Sequence, residues 1–273
     1  MGKTTIFGIA VGFGMIITGF IIEHGNVASL FLISPILIVV GGTAGAILVS
    51  YSMSDVKKIF PLVKQTISEP STSLEKTMQT ILDLAGRAKR EGLLVLEETV
   101  QDPEFIKNND PLVVRGILLL MQGFTEEALL NILDQELYIF DQIKKKEISM
   151  FEAAGGYSPT MGIIGTVLGL IQVLANMSTP EELAASIAVA FTATLYGIIL
   201  ANLLYLPMAN KLKLRYKLAR VDKQLIIDGV VSINNGYSPI EIKERLSSYL
   251  QYEEKPIKID EKKAEGNKEE QDA

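Results

Sequence analysis

Long apolar stretches alternate with polar regions along this chain. Four runs contain no Asp, Glu, Lys, Arg or His, and they cover residues 4–22, 25–54, 153–180 and 183–210. A bilayer core about 30 Å thick needs roughly 20 apolar helical residues, so each run is long enough to cross it. The pattern therefore predicts an all-α integral membrane protein with four transmembrane helices, arranged as two hairpins.

The polar regions show helical periodicity and no strict alternation, which predicts a helical cytoplasmic domain. Gly92 can end a helix, Asp110 followed by Pro111 can begin one, and Ser238 can begin another. At the end of the chain, 13 of 21 residues are charged, which is typical of disorder. We therefore predict five parts: a first hairpin at 1–54, a cytoplasmic domain at 55–152, a second hairpin at 153–210, cytoplasmic helices at 211–252 and a disordered tail at 253–273.

The basic residues predict the orientation of the chain in the membrane. The short turn within each hairpin has no Lys or Arg. One basic residue precedes the first hairpin, 12 lie between Lys57 and Lys146, and 13 lie from Lys211 onward. Because basic residues are retained on the cytoplasmic side, we expect both turns outside and both termini inside.

Composition excludes several kinds of chemistry. The chain has no cysteine, which excludes a disulfide, a thiolate metal site and a cysteine nucleophile. Its one histidine, His24, cannot form a polyhistidine metal cluster, and a net charge of −6 gives no reason to expect nucleic acid as a partner. The spans contain no ionisable side chain, which argues against a membrane enzyme or a self-sufficient transporter.

Two threonines in the second hairpin are candidate ion ligands. Thr166 lies 14 residues before Pro180 and Thr194 lies 14 residues after it, so antiparallel spans would place them at similar depth. Each hydroxyl could simply bond its own helix, or the pair could line a path for a partly dehydrated cation. A membrane ion path usually also needs a carboxylate. Since none is present, either no ion moves or a partner supplies that group.

Glycines and prolines in the spans indicate close packing and possible bending. Pro159 at the start of the third span and Pro207 at the end of the fourth either mark helix ends or act as hinges. Three small-xxx-small pairs predict close helix packing, within the chain or between copies of a homo-oligomer: Gly8/Gly12, Gly41/Gly45 and Gly165/Gly169.

Several of these segments resemble the MotA/PomA family of flagellar motor stator proteins. The segment 158–170 (SPTMGIIGTVLGL) is similar to the family's third span, and 192–197 (TATLYG) with 206–212 (LPMANKL) is similar to its fourth. The segment 39–43 (VVGGT) fits the second span. The resemblance covers about residues 1–250, and the combined pattern is specific although the single glycine motifs are not.

The resemblance implies a stator function in the bacterial cytoplasmic (inner) membrane, surrounded by membrane lipid. Family members form a pentameric ring around two copies of a MotB-type single-span subunit, whose membrane aspartate binds the ion and whose outer domain grips peptidoglycan. The resemblance implies no enzyme activity and no cofactor apart from the transported Na⁺ or H⁺. Sodium-type members have threonine at both Thr166 and Thr194, whereas proton-type members usually have a small apolar residue at the first position. The sequence therefore favours sodium.

The resemblance also implies contact with the rotor protein FliG. Family members use charges around an Arg/Lys-x-Gly pattern followed by Glu, and the stretch 87–98 (RAKREGLLVLEE) matches it. Lys89 or Arg90, with Glu97, are therefore the candidate rotor contacts. The alternative for these charges is an ordinary solvated helix face.

A related energy transducer of the ExbB or TolQ type, coupling ion flow to envelope transport, is the alternative function. Those proteins have one span before the cytoplasmic segment. Here two apolar runs, 4–22 and 25–54, precede it. The sequence therefore favours the stator over the transducer.

Overall fold

The structure, a computed structural model, describes residues 2–68, 73–175 and 180–252. These residues form helices and turns with no strand among them, which confirms the all-α fold class. Four helical segments are long and apolar enough to cross a membrane, as predicted. The predicted disordered tail at 253–273 and most of the turn between spans three and four, 176–179, lie outside the described residues.

The described residues form two compact units. The first contains those within Met1–Ser71 and Ile139–Lys217, and the second contains those within Thr72–Tyr138 and Leu218–Ala273. The borders of the five predicted parts lie at the membrane surface. The two units are defined by packing within the protein, so they do not test those borders, and the five parts stay a prediction.

The first hairpin is built from helical segments of three kinds. The second span begins with a 3₁₀ turn and contains one π-helical turn. In a π-helical turn each N–H bonds the carbonyl five residues earlier, instead of four as in an α-helix. In chain order, the segments of the hairpin and of the chain after it are α1 (Gly2–Ile22), the 3₁₀ turn (Val27–Leu30), α2 (Ile33–Ile36), the π turn (Leu37–Gly41), α3 (Gly42–Ser50), α4 (Met53–Val56) and α5 (Ile59–Ile67).

Four helices and a 3₁₀ turn follow in the second unit. Gly92 ends the first helix with a φ of +88°, a conformation that favours glycine, and the Asp110 side chain accepts a 2.8 Å hydrogen bond from the Leu112 N–H. Both predicted boundaries are confirmed. The segments are α6 (Leu74–Glu91), the 3₁₀ turn (Leu93–Val95), α7 (Leu96–Gln101), α8 (Pro103–Asn108) and α9 (Pro111–Met121).

Long helices carry the second hairpin: α10 (Glu126–Ala175), α11 (Pro180–Ile199) and α12 (Leu206–Asn234), with a π-helical segment (Leu200–Tyr205) between the last two. The interpretation of Pro159 as a helix end is wrong. Pro159 lies inside α10, and Pro207 is the second residue of α12, directly after the π-helical segment. Neighbouring helices and local π adjustments allow a membrane helix to continue through proline.

The three small-xxx-small pairs differ in their surroundings. Gly165/Gly169 packs against Ala193 and Ala190 of α11, so this pair serves packing within the chain. A Cβ atom on Gly12 would meet the Leu203 side chain at 3.0 Å. A Cβ atom on any of the other three glycines would meet nothing within 4 Å: Gly8, Gly41 and Gly45.

Each unit has its own apolar core. In the first unit, a cluster forms where α5, α10 and α12 meet, and it consists of Leu62, Ile148, Met150, Phe151, Ala209 and Leu212. In the second unit, α13 (Pro239–Leu250) packs against α6, and the Ser238 side chain caps its start as predicted. A Cβ atom on Gly229 would lie 2.6 Å from the Ile81 side chain, so glycine permits close packing of α12 on α6 there.

Candidate functional site

Spans three and four approach each other at backbone distance within the first unit. A Cβ atom on Gly169 of α10 would lie 2.8 Å from the Cβ of Ala190, and one on Gly197 of α11 would lie 2.6 Å from the carbonyl oxygen of Ser158. Only glycine fits such contacts without a shift of the neighbouring helix. The pairs run in opposite directions along the two helices, so the spans are antiparallel, as predicted.

The two candidate threonines meet at this close helix pair. The Thr166 Oγ1 lies 3.2 Å from the carbonyl oxygen of Gly162 and 3.1 Å from that of Ala190, and it contacts the Thr194 Oγ1 directly. A hydroxyl has one proton, so Thr166 donates to one of these acceptors at a time. The structure therefore brings together the two residues that the sequence placed at similar depth.

The threonine pair concentrates oxygen atoms at one point between the spans. The two hydroxyl oxygens belong to half-buried side chains, and the carbonyl oxygens of Gly162 and Ala190 lie beside them. Carbonyl and hydroxyl oxygens are the groups that replace water around a cation in selective pores. Runs 153–180 and 183–210 contain no carboxylate, so the cluster itself has no group that can carry a negative charge.

Pro159, but not Pro207, lies at the interface between spans three and four. The Ser158 hydroxyl donates a 3.0 Å hydrogen bond to the carbonyl oxygen of Gly197, and a Cβ on Gly197 would lie 3.1 Å from the Pro159 Cα. Pro207 instead has an exposed side chain and faces the first span. The two prolines thus have different surroundings. Their sequence positions, each near the end of an apolar run, did not indicate this difference.

The candidate rotor contacts lie on either side of one tight turn in the second unit. Lys89 and Arg90 are in the last turn of α6, Glu97 is in the first turn of α7, and all three side chains are exposed. Lys89 Nζ donates a 2.8 Å hydrogen bond to the Gly236 carbonyl oxygen. Gly92, with its positive φ, lies between the two sets of charges. The structure therefore presents positive and negative side chains close together along the chain.

A charged cluster that the sequence did not reveal lies just after the second span. Lys146 Nζ lies 2.5 Å from the Asp55 Oδ2, and the Ser52 hydroxyl donates to the same carboxylate at 2.5 Å. The hydrogen bond from Lys146, followed by that from Ser52, holds the pKa of Asp55 below its ordinary value of 3.8. Only the sequence spacing of Ser52 and Asp55, which fits a helix start, could have suggested part of this arrangement.

Two comparisons with protein families match most of the chain. Residues 6–92 match the family described as motility protein A N-terminal, and residues 106–224 match the MotA/TolQ/ExbB proton channel family. The first match covers the first hairpin together with α6, and the second covers the second hairpin with the helices before and after it.

Individual relatives match over nearly their whole length. The chain is 31% identical to motility protein A of Bacillus subtilis, over 92% of this chain and 91% of that one. It is 30% identical to chemotaxis protein PomA of Vibrio alginolyticus, over 96% of this chain and 100% of that one. The structure of the flagellar MotAB stator complex from Bacillus subtilis superposes with a TM-score of 0.81 at 31% identity, covering 91% of this chain and 96% of that one.

Proposed function

The chain belongs to the motility protein A family, within the MotA/TolQ/ExbB proton channel family, and from this premise we propose how it works as an ion-driven stator subunit of the flagellar motor. We propose that it surrounds a MotB-type single-span partner. The solved relative is a complex of MotA with MotB, which supports such a partner. The carboxylate-free spans support it too, because a partner with a membrane aspartate would supply the charge that an ion path needs.

We propose that several copies form a ring, five by family resemblance, around two partner helices. Membrane helices associate where small residues let backbones approach. Gly41 and Gly45 are four residues apart in span two, and Cβ atoms there would meet no atom of the described residues within 4 Å. This open small-residue face is where we expect a neighbouring copy or a partner helix to pack.

The contact between Thr166 and Thr194 carries the proposed ion path. The hydroxyls of Thr166 and Thr194 and the nearby carbonyls of Gly162 and Ala190 offer oxygen atoms to a partly dehydrated cation. We propose that the cation passes this cluster on its way to and from the partner's aspartate. The direct hydroxyl contact supports a joint role, because an ion bound by one threonine would also lie near the other.

Sodium is the ion that this cluster fits best. Sodium needs several oxygen ligands, whereas a proton needs only a relay. The presence of threonine at both positions, as in sodium-type family members, also favours sodium. Protons are the alternative ion, and the broader family is described as a proton channel family.

We propose that Arg90, Lys89 and Glu97 transmit torque to a FliG-type rotor protein. Their exposure, and their position at the end of α6 and the start of α7, support a charged contact surface. Arg90 is the best candidate cation, since Lys89 already bonds the carbonyl of Gly236 within the chain. Exposed charge pairs contribute little energy one at a time, which suits a contact that must form and break at each step.

We propose that both termini and the second unit lie in the cytoplasm of a bacterium, with the turn at His24 outside the inner membrane. A chain without cysteine allows a direct test of this orientation. A cysteine at His24 should react in intact cells with a maleimide that cannot cross the membrane. A cysteine at Lys107 should react only after the cells are opened, and the reverse pattern would contradict the proposed orientation.

An energy transducer of the ExbB or TolQ type is less well supported. The broader family includes those proteins, but the match of residues 6–92 to the motility protein A N-terminal family covers the extra hairpin that favours the stator.

Ion flux through the reconstituted complex tests the proposed path. The full-length chain and its single-span partner are placed in liposomes, and sodium and proton uptake are measured separately. We expect sodium uptake that Thr166→Ala reduces strongly and Thr166→Ser largely keeps. Thr160→Ala is the matched control, because the exposed Thr160 hydroxyl donates to the nearby Tyr157 carbonyl on the same helix. Proton uptake that does not depend on sodium would show that protons are the transported ion. Equal flux in the Thr166 and Thr160 variants would show that the ion does not pass the threonine pair.

A further inference from the structure

A cavity of about 330 Å³ lies between the first span and the end of the fourth. This volume is within the range of roughly 300–1,000 Å³ that is typical of small-molecule sites. The side chains of Ile9, Leu203 and Met208 form apolar walls, and Gly8 leaves the α1 side open. Thr5 and Lys211 line the polar part. The cavity is therefore amphipathic: an apolar groove lies beside the ammonium group of Lys211.

The polar part of this cavity is organised by hydrogen bonds. Lys211 Nζ donates to the Thr5 hydroxyl, which in turn donates to the Thr66 carbonyl oxygen at 3.1 Å. Arg215, one helical turn after Lys211, donates to the Ser68 carbonyl oxygen. The Arg215 Nε is buried and has no hydrogen-bond partner among the residues that the structure describes. Lys211 and Arg215 therefore lie one helical turn apart on α12, and none of the described residues that line the cavity is acidic.

The position of the cavity along the spans matches the depth of lipid headgroups. Thr4 is the first residue of the first apolar run, and Lys211 directly follows the fourth run, so the cations lie where the spans leave the hydrocarbon. The first turn of α1 adds the partial positive charge of a helix N-terminus on the same side. The apolar walls extend from this point towards the interior of both spans.

We propose that this cavity binds an anionic phospholipid. The headgroup phosphate lies against Lys211 and Thr5, and one acyl chain lies along Gly8, Ile9 and Leu203. Basic pockets between membrane helices are typical sites for anionic headgroups. The apolar groove favours a lipid over a soluble anion, because a free phosphate would leave these walls without an apolar partner. The site is separate from the threonine pair, and the proposal goes beyond the stator function.

Pro207 also lines the cavity, so a bound lipid contacts the proline of the fourth span. The bound lipid would therefore lie beside the point in the fourth span where the π-helical segment is followed by α12.

Native mass spectrometry of the full-length protein, purified in mild detergent, tests the proposal. Phosphatidylglycerol and phosphatidylethanolamine with the same acyl chains are titrated separately, and a dissociation constant is obtained for each. We expect phosphatidylglycerol to bind about fivefold or more tightly than phosphatidylethanolamine, as one or two cations near a headgroup would give. Equal affinity for the two lipids would overturn the proposal, as would inorganic phosphate displacing phosphatidylglycerol at millimolar concentration.

Two pairs of variants separate the headgroup from the acyl chain. Lys211→Gln should weaken phosphatidylglycerol about fivefold, Lys211→Arg should keep its affinity, and Lys217→Gln, an exposed lysine on the same helix, is the control. Gly8→Leu should fill the groove and weaken the binding of both lipids, whereas Gly14→Leu on another face of α1 should weaken the binding of neither. The two variants are matched because a Cβ atom at either glycine would meet no atom of the described residues within 4 Å. Unchanged binding in both Lys211→Gln and Gly8→Leu would overturn the site.

Discussion

The Ser158 hydroxyl donates a 3.0 Å hydrogen bond to the carbonyl oxygen of Gly197, where the backbones of spans three and four are in close contact. The Ser158 side chain is fully buried, and the absence of a side chain at Gly197 allows the two backbones to meet. This contact holds the antiparallel pair in the register that places Thr166 against Thr194. The proposed ion path thus depends on a contact made by two residues that cannot themselves bind or release a proton.

Replacing Gly197 with alanine should destabilise the pair of spans. The added Cβ would lie 2.6 Å from the Ser158 carbonyl oxygen, so one helix must shift, at a cost of about 1–3 kcal/mol for overpacking. The melting temperature of the purified protein in detergent should fall. Gly156→Ala is the matched control, because its Cβ would meet no atom within 4 Å. Equal melting temperatures for the two variants would show that the close approach does not stabilise the fold.

Removal of the two threonine hydroxyls should be non-additive. Thr166→Val and Thr194→Val each remove one side of the same contact, so the double variant should be little worse than the worse single variant. We expect each single change to raise the sodium concentration for half-maximal swimming speed by about tenfold or more. Thr160→Val should leave it unchanged. Strictly additive effects would mean that the threonines act at separate places.

Charge reversal at the turn in the second unit should impair torque while assembly remains intact. Arg90→Glu should slow swimming, and Lys89→Glu with Arg90→Glu should slow it further, because the introduced carboxylates would repel an acidic partner surface. Swimming speed and stator content at the motor, measured with a fluorescent fusion, separate torque from assembly. Lys107→Glu, at an exposed lysine of α8, is the control. Swimming as fast as in the control would remove Arg90 and Lys89 from the rotor contact.

The sequence predicts the spans and several helix ends because these features depend on local patterns. Four acid-free runs define the spans, and Asp110 and Gly92 mark helix boundaries through their own backbone and capping chemistry. The similar depth of Thr166 and Thr194 follows from counting residues on either side of one turn.

The features that the sequence did not reveal depend on distant residues. The π-helical segments in spans two and four have no single-residue signal, and Pro159 continues a helix instead of beginning it. The pairing of Asp55 with Lys146 joins residues that are 91 positions apart, and the cavity beside Lys211 needs α1 and α12 to meet. Such contacts become visible only when packing in three dimensions is known.

The Asp55 carboxylate should stabilise the fold at neutral pH but not in acid. Its pKa in the folded protein lies below 3.8, so the stabilisation is present above about pH 4 and is lost as the pH falls through the folded pKa. Asp55→Asn should therefore lower the melting temperature near pH 7, and the difference from the unmodified protein should shrink as the pH falls through the lowered pKa of Asp55. Glu98→Gln, at an exposed carboxylate, is the control. A melting-temperature difference that is independent of pH would contradict this electrostatic role.

Swimming of cells in which this chain is the sole stator subunit of its kind shows whether the chain drives flagellar rotation. The gene is deleted in a strain without any other stator set, flagella are confirmed by microscopy, and the gene is then restored. We expect flagellated cells that do not swim after deletion and that swim again after restoration, at a speed that rises with external sodium and falls with Thr166→Ala. Flagellated cells that swim equally well without the gene would contradict it.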